Sequence, residues 1–296
     1  MKSTQETYDA LNGILRSDPN TVRDFWKSGF NPLQRNLNTQ SPAFKAMQEL
    51  VGGKYRTHIA YPLSHKRSAI GMSDHARDIL FPKASEVTVM LLYPSTIRKL
   101  YGGVVLNGYR IGDIIDSLRK LRKEFKVDAR KGSIEADILQ AKAKALICVI
   151  YGVLVECVTV PEMDDASLKV VIEARHTMEN LFDVLVDKGF TPMYSDTDSF
   201  MLAEAPCPEL NDALYAWGVG EGLSVDVEQC NNLVINRIKR YIHTGAAGST
   251  IQGYRLYQAE KQIGRADNRR TLNVRNKVID DMKRMFHLCD RLEHEG

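Results

Sequence analysis

Residues Tyr194-Ser195-Asp196-Thr197-Asp198-Ser199 set two carboxylates two positions apart, with apolar segments on either side: Phe190 to Tyr194 before, Phe200-Met201-Leu202 after. The pattern predicts a hairpin with the carboxylates at its tip, preceded by a helix over residues 167–188. Asp-x-Asp at a turn can place two hard oxygen donors on one side of the backbone. Mg²⁺ requires such donors when it also holds phosphate oxygens. Asp and Thr are also ordinary turn residues, so the chemistry depends on what other segments bring to that tip.

The elements that must position this tip can be read from periodicity. Glu86 to Leu92 reads as a strand, largely apolar and expected to be buried on both faces. Ile111, Ile114, Ile115, Leu118, Leu121 and Phe125 form one face of a helix over 111–126, with Arg119, Arg122, Lys123 and Lys126 off that face. Lys131-Gly132-Ser133 makes a turn in which Ser133 caps a second helix, expected to run from Ile134 to Ile150 and end at Gly152. Together the two helices predict an antiparallel hairpin with a basic exposed side. Residues 1–30 read as helical behind a capping box at Ser3-Thr4-Gln5-Glu6. Residues 31–80 read as loops and short strands, 223–264 as strands around a Gly245 to Gly248 turn, and 271–292 as a helix.

Composition narrows the class. The 296 residues are 44% hydrophobic and 26% charged, ordinary for a globular protein of one large or two small domains. No apolar run reaches membrane-spanning length and no signal peptide is visible, so no membrane partner is expected. Five scattered cysteines without Cys-x-x-Cys spacing predict reduced thiols in a cytoplasmic or nuclear compartment. The seven histidines show no metal-ligand spacing and are expected in isolated surface or core roles. The net charge of +3 conceals an asymmetry: residues 117–144 carry a net +5 and residues 237–296 a net +6, leaving about −8 elsewhere. Two basic blocks on an acidic body suit contact with a polyanion at two places, and helix faces that are merely solvated give the same runs.

Five segments occur in a telling order: Leu92-Tyr93-Pro94-Ser95, the stretch from Lys144 to Tyr151-Gly152, Tyr194 to Ser199, Lys239-Arg240-Tyr241, and Lys261-Gln262-Ile263-Gly264. This order and spacing over roughly residues 50–270 resemble the polymerase module of family B DNA polymerases. The resemblance implies an α+β fold, an antiparallel palm sheet flanked by helices with a two-helix fingers hairpin inserted. It implies a division into an N-terminal region (1–80), palm (81–103 and 145–265), fingers (104–144) and partial thumb (266–296). It also implies addition of deoxynucleotides to a primer 3′ end by two-metal chemistry.

Residue by residue, the resemblance makes Asp198 the metal-binding carboxylate and Asp196 its less essential neighbour, with Mg²⁺ as the ion. Tyr93 would lie under the nucleotide sugar. Arg122, Lys126 and Lys144 would hold the triphosphate, and Tyr151 would sit beside the nascent base pair. Lys239, Arg240 and Tyr241 match the element that grips primer-template DNA, and Lys261 and Gly264 the sequence closing the palm.

Three departures qualify the resemblance. The family's bridging Asp, five residues before Tyr93, falls on Thr88. Glu86 lies two residues earlier on the same strand face, displaced by ~6.6 Å at ~3.3 Å per residue, and is the candidate replacement. Cys148-Val149 stand where the family has Asn-Ser. The length leaves no room for an exonuclease domain and only a stump of thumb. That implies a split or reduced enzyme, of viral or mobile-element type, whose missing parts come from another polypeptide. Loss of the bridging Asp leaves open a second reading, an inactive polymerase-derived scaffold that still binds nucleotide and DNA.

Overall fold

The computed structural model describes residues 1–17, 42–52, 70–157, 163, 165–237, 240–245, 248–252 and 275–294. In chain order these form α1 (Thr4–Ser17), α2 (Pro42–Val51), β1 (Ile70–Met72), β2 (Leu80–Met90), α3 (Leu92–Tyr101), β3 (Val105–Leu106), β4 (Tyr109–Arg110), α4 (Ile111–Arg130) and α5 (Ile134–Cys157). They continue through α6 (Ala166–Asp187), β5 (Pro192–Asp196), β6 (Ser199–Leu202), α7 (Pro208–Glu221), β7 (Ser224–Arg237), β8 (Arg240–Gly245), β9 (Gly248–Gln252) and α8 (Arg275–His294). Two compact units result: residues 1–62 with 93–170, and residues 63–92 with 171–296.

The first unit is helical and is built on the α4–α5 hairpin. Ile111, Ile114, Ile115, Leu118, Leu121 and Phe125 are all buried, as the 3.6-residue period requires. The amide of Ala136 donates to Ser133 Oγ at 3.2 Å, which makes Ser133 the cap of α5, and Gly132 supplies the positive φ (+95°) of the turn. α5 runs seven residues beyond its expected end, to Cys157. An interior glycine costs only about 1 kcal/mol, and burial of Ile150, Val153 and Leu154 offsets that at Gly152. α1 packs on α4 and α2 on α5. The capping box of α1 is closed in both directions: the Ser3 amide donates to Glu6 Oε2 (2.7 Å) and the Glu6 amide to Ser3 Oγ (3.2 Å).

The second unit is an antiparallel seven-stranded sheet in the order β1-β5-β6-β2-β7-β8-β9, flanked by helices. β2 lies between β6 and β7 and pairs with both, with Thr88 opposite Ser199 on one side and Asp226 on the other. Its side chains alternate. Val87 and Val89 are fully buried in a core with Met178, Leu181 and Phe182 of α6, Leu214 and Trp217 of α7, and Phe286 of α8. Glu86, Thr88 and Met90 point the other way and are half-buried. The strand is therefore buried on one face, not on both as its composition predicts.

The C-terminal helix belongs to this unit. Phe286 packs 5.4 Å from Phe182, and Asp281 Oδ2 accepts from Ser73 Oγ at 2.9 Å and lies 2.6 Å from His75 Nδ1. Residues 145–157 continue the helical unit, and 275–294 cover the sheet.

Candidate active site

The Asp-Thr-Asp turn closes the β5–β6 hairpin through the Asp196–Ser199 pair. Thr197 is held at φ +62°, in the left-handed region that a β-branched residue seldom adopts. Its Oγ1 donates to Asp196 Oδ1 at 3.2 Å, and the buried Tyr194 hydroxyl donates to Asp196 Oδ2 at 3.2 Å. The Asp198 amide donates to Asp196 O (2.7 Å), and Asp198 O accepts from the amide of Val89 on β2 (2.7 Å). Every one of these contacts orients the turn. Strained backbone of this kind persists where the surroundings over-determine it, and it concentrates at functional sites.

Glu86 shares the carboxylate face of the sheet. Burial raises its pKa, and the charges of Glu228, Asp198 and Asp196 raise it further. Asp196, Asp198 and Glu86, the three residues named as catalytic from sequence, are thus within electrostatic reach of one another, but among the described residues their ligand atoms do not form a group within 4.8 Å. Thr88 presents a neutral hydroxyl on the same face as Glu86. Two carboxylates missed by the sequence reading join them: Glu228 directly across from Glu86, and Asp226 directly across from Thr88. Ser224-Val225-Asp226-Val227-Glu228 alternates with the two-residue period of a strand, and that period is the signal that puts both acids on one face.

Tyr241 packs 5.6 Å from Tyr194 and stacks on His243 at 6.0 Å. Burial, followed by Glu86 and Asp196, pushes its phenol up to about 12. It therefore lines the carboxylate face. Arg240 opens β8 opposite Arg237, whereas Lys239, Lys261 and Gly264 lie outside the described residues.

Glu86, Cys230 and His243 also converge, their ligand atoms all within 4.8 Å of one another. Spacing in sequence gives no hint of this, and the reading of all histidines as isolated fails at His243. The register of β2, β7 and β8 brings the three together.

The nucleotide-binding candidates of the helical unit form a second constellation. Lys144, Cys148 and Tyr151 share one face of α5 by their spacing of four and three. The Tyr151 ring meets Tyr93 edge-on, with centroids 5.4 Å apart at 63°. Arg122 of α4 lies beside Cys148. It is half-buried, its guanidinium is shifted down by desolvation, and its Nε has no hydrogen-bond partner among the described residues. Lys126, one turn on, is exposed, as is Lys144. α3 is tied to α4 by Arg98 Nε on Asp116 Oδ1 (2.8 Å) and by Arg119 on Ser95 Oγ, which fixes the helix that carries Tyr93.

The donor set at the hairpin tip is chemically suited to a hard dication. Asp196, Asp198 and Glu86 offer only oxygens, and like charges crowd around the Glu86 carboxyl, which a cation would relieve. The fit is incomplete at Thr88, which offers no charge.

No protein-family model and no curated protein matches the sequence. Among solved structures, the family B DNA polymerase from the hyperthermophilic archaeon Pyrobaculum calidifontis is similar. The TM-score is 0.54 at 14% identity, over 84% of this chain and 37% of that one. At this identity the likeness is one of fold, and the chain spans well under half the length of the archaeal polymerase. The sheet and its flanking helices are those of a polymerase palm-like α+β fold. Among the described residues, no helix is long and apolar enough to cross a membrane.

Proposed function

We propose that this chain is the polymerising module of a family B-like DNA polymerase, extending a primer 3′ end on template DNA and working with a further polypeptide. One observation carries the reading. On a palm-like sheet, a strained Asp-Thr-Asp turn is docked by its backbone onto the strand that bears Glu86, and the charges of Asp196 and Asp198 act on the Glu86 carboxyl. Asp196, Asp198 and Glu86 would hold Mg²⁺, which when bound acts as a Lewis acid on the phosphoryl oxygens. The Tyr194 hydroxyl and Thr197 Oγ1 keep the Asp196 carboxylate in one orientation. Arg122 and Lys144 would supply positive charge for a triphosphate, Arg122 as a partly desolvated guanidinium whose Nε has no hydrogen-bond partner among the described residues. Tyr93 and Tyr151, whose rings meet edge-on, would flank the nucleotide.

Thr88 favours the second reading, a polymerase-derived scaffold that binds nucleotide and DNA without turnover, because a neutral side chain stands where the family places a bridging carboxylate.

Primer extension by the purified chain, in Mg²⁺ and then Mn²⁺, separates the two. Extension that is lost in Asp198→Ala and in Glu86→Ala is the expected result. Retained salt-sensitive DNA binding without extension in either metal would mean either the scaffold or a module that needs its further polypeptide for turnover. Absence of salt-sensitive binding as well would sink both readings.

A further inference from the structure

The geometry points to a second, thiophilic metal site on the palm-like sheet, formed by Cys230, His243 and Glu86 and suited to Zn²⁺. Cys230 is fully buried and His243 is 3% exposed, and neither imidazole nitrogen has a hydrogen-bond partner among the described residues. A buried imidazole with both nitrogens unsatisfied is costly, so such groups call for an explanation. His243 Nε2 lies 3.6 Å from Glu86 Oε2, too far for a hydrogen bond.

That separation is, however, close to the edge of a tetrahedron around Zn²⁺. Bonds of about 2.0–2.1 Å to nitrogen and oxygen give an edge of about 3.3 Å. The Cys230 thiol lies within 4.8 Å of both. One sulfur, one nitrogen and one oxygen, with a fourth position open, is a donor set typical of zinc and unlike the all-oxygen set of Mg²⁺. The Glu86 side chain is 22% exposed, so the ion can enter from that side. The scaffold is rigid, because the ligands come from three neighbouring strands: β2, β7 and β8.

The inference stands apart from the polymerase reading, since it requires neither nucleotide nor turnover. Where both hold, Glu86 is shared, and zinc at Cys230–His243 draws it away from Asp196 and Asp198.

The test uses the full chain, stripped with chelator and titrated with Zn²⁺ against a chromophoric competitor, and with Co²⁺ as a spectroscopic stand-in. The expected result is one equivalent of metal and a thiolate-to-cobalt charge-transfer band. Cys230→Ser should abolish that band, and His243→Gln should weaken zinc binding at least about 100-fold, since even outer partners of a ligand contribute 10–100-fold. Asp198→Asn should leave the cobalt spectrum unchanged. A parent chain without a stoichiometric cobalt–thiolate band overturns the inference, whether or not the variants fold. So does a band that survives Cys230→Ser, which would come from another cysteine. The band is read without nucleotide or DNA, so failure to extend primers has no bearing on it.

Discussion

The backbone carbonyl of Asp198 accepts a 2.7 Å hydrogen bond from the amide of Val89, so the carboxylate turn is fastened to the central strand by main-chain atoms. The Asp198 side chain plays no part in that bond. Asp198→Asn should therefore keep the fold, with Tm within about 2 °C of the parent or above it, because one of several crowded carboxylates is removed. Primer extension should fall at least about 10²-fold, the scale of losing one preorganised electrostatic contact. Thermal unfolding beside an extension assay checks both halves.

Thr197 occupies a conformation suited to Asn or Gly. Thr197→Asn should raise the unfolding free energy by about 0.5–1 kcal/mol, since Asn tolerates this region and retains a polar group near Asp196. Urea denaturation would show it as a higher midpoint with an unchanged slope. A lower midpoint would mean that the Oγ1 bond to Asp196 outweighs the strain.

Thr88→Asp restores a carboxylate at the position where the family has one. Asp226 lies directly opposite, and like charges across a strand pair are unfavourable by about 0.2–1 kcal/mol, so stability should drop by that order. Extension in Mg²⁺ should rise at least about tenfold, one decade for about 1.4 kcal/mol of transition-state stabilisation. A Thr88→Asp chain that binds DNA and remains inert would favour the scaffold reading.

Glu86 and His243 give opposite pH signatures in metal-free protein. Burial and the neighbouring carboxylates raise the Glu86 pKa above its ordinary 4.5. Stability from its protonated form is complete below 4.5 and is lost as pH rises through the native value. Glu86→Gln cannot ionise, and should raise Tm at pH 7 by about 1–3 °C and flatten that decline. Burial lowers the His243 pKa below its ordinary 6.5, with Glu228 opposing. Its contribution is complete above 6.5 and is lost as pH falls through the native value, so His243→Gln should flatten the acid side below 6.5. Unfolding curves from pH 4 to 8 in chelator measure both slopes.

Arg122→Met keeps the buried stem and removes a desolvated charge. Stability should hold or rise, while affinity for a fluorescent deoxynucleoside triphosphate should fall about tenfold, the loss of one charge-assisted hydrogen bond of about 1.5 kcal/mol. Equal affinity in the two proteins would remove Arg122 from the nucleotide site.

What the sequence made legible was local. The capping box at Ser3 and Glu6, the Ser133 cap, the buried face of α4 and the Asp-Thr-Asp hairpin all depend on residues within a few positions of one another. Three helices were missed for a related reason. α2 begins at Pro42, α3 carries Pro94 and α7 begins at Pro208, and all three prolines sit in first turns, where no intrahelical amide partner is lost. The partners of Glu86 were illegible because they depend on register. Glu228 and Cys230 reach it across β2 and β7, and His243 comes from the next strand out. Residues in three strands carry no shared spacing in the sequence.

The position of β2 has a consequence for how the chain folds. It is the strand on which both halves of the sheet assemble, yet Ser199 and Asp226, which flank Thr88, are synthesised more than a hundred residues after it. Between them the chain makes the α4–α5 hairpin, two helices adjacent in sequence that can pair across a short turn and form fast. The helical segment therefore matures while β2 still carries two open edges, and the order of synthesis leaves the strand with Glu86 exposed to mispairing longest. Slow sheet closure after a helical unit has formed is the kinetic signature of this connectivity, and Val87 and Val89 are the side chains it leaves waiting for a core.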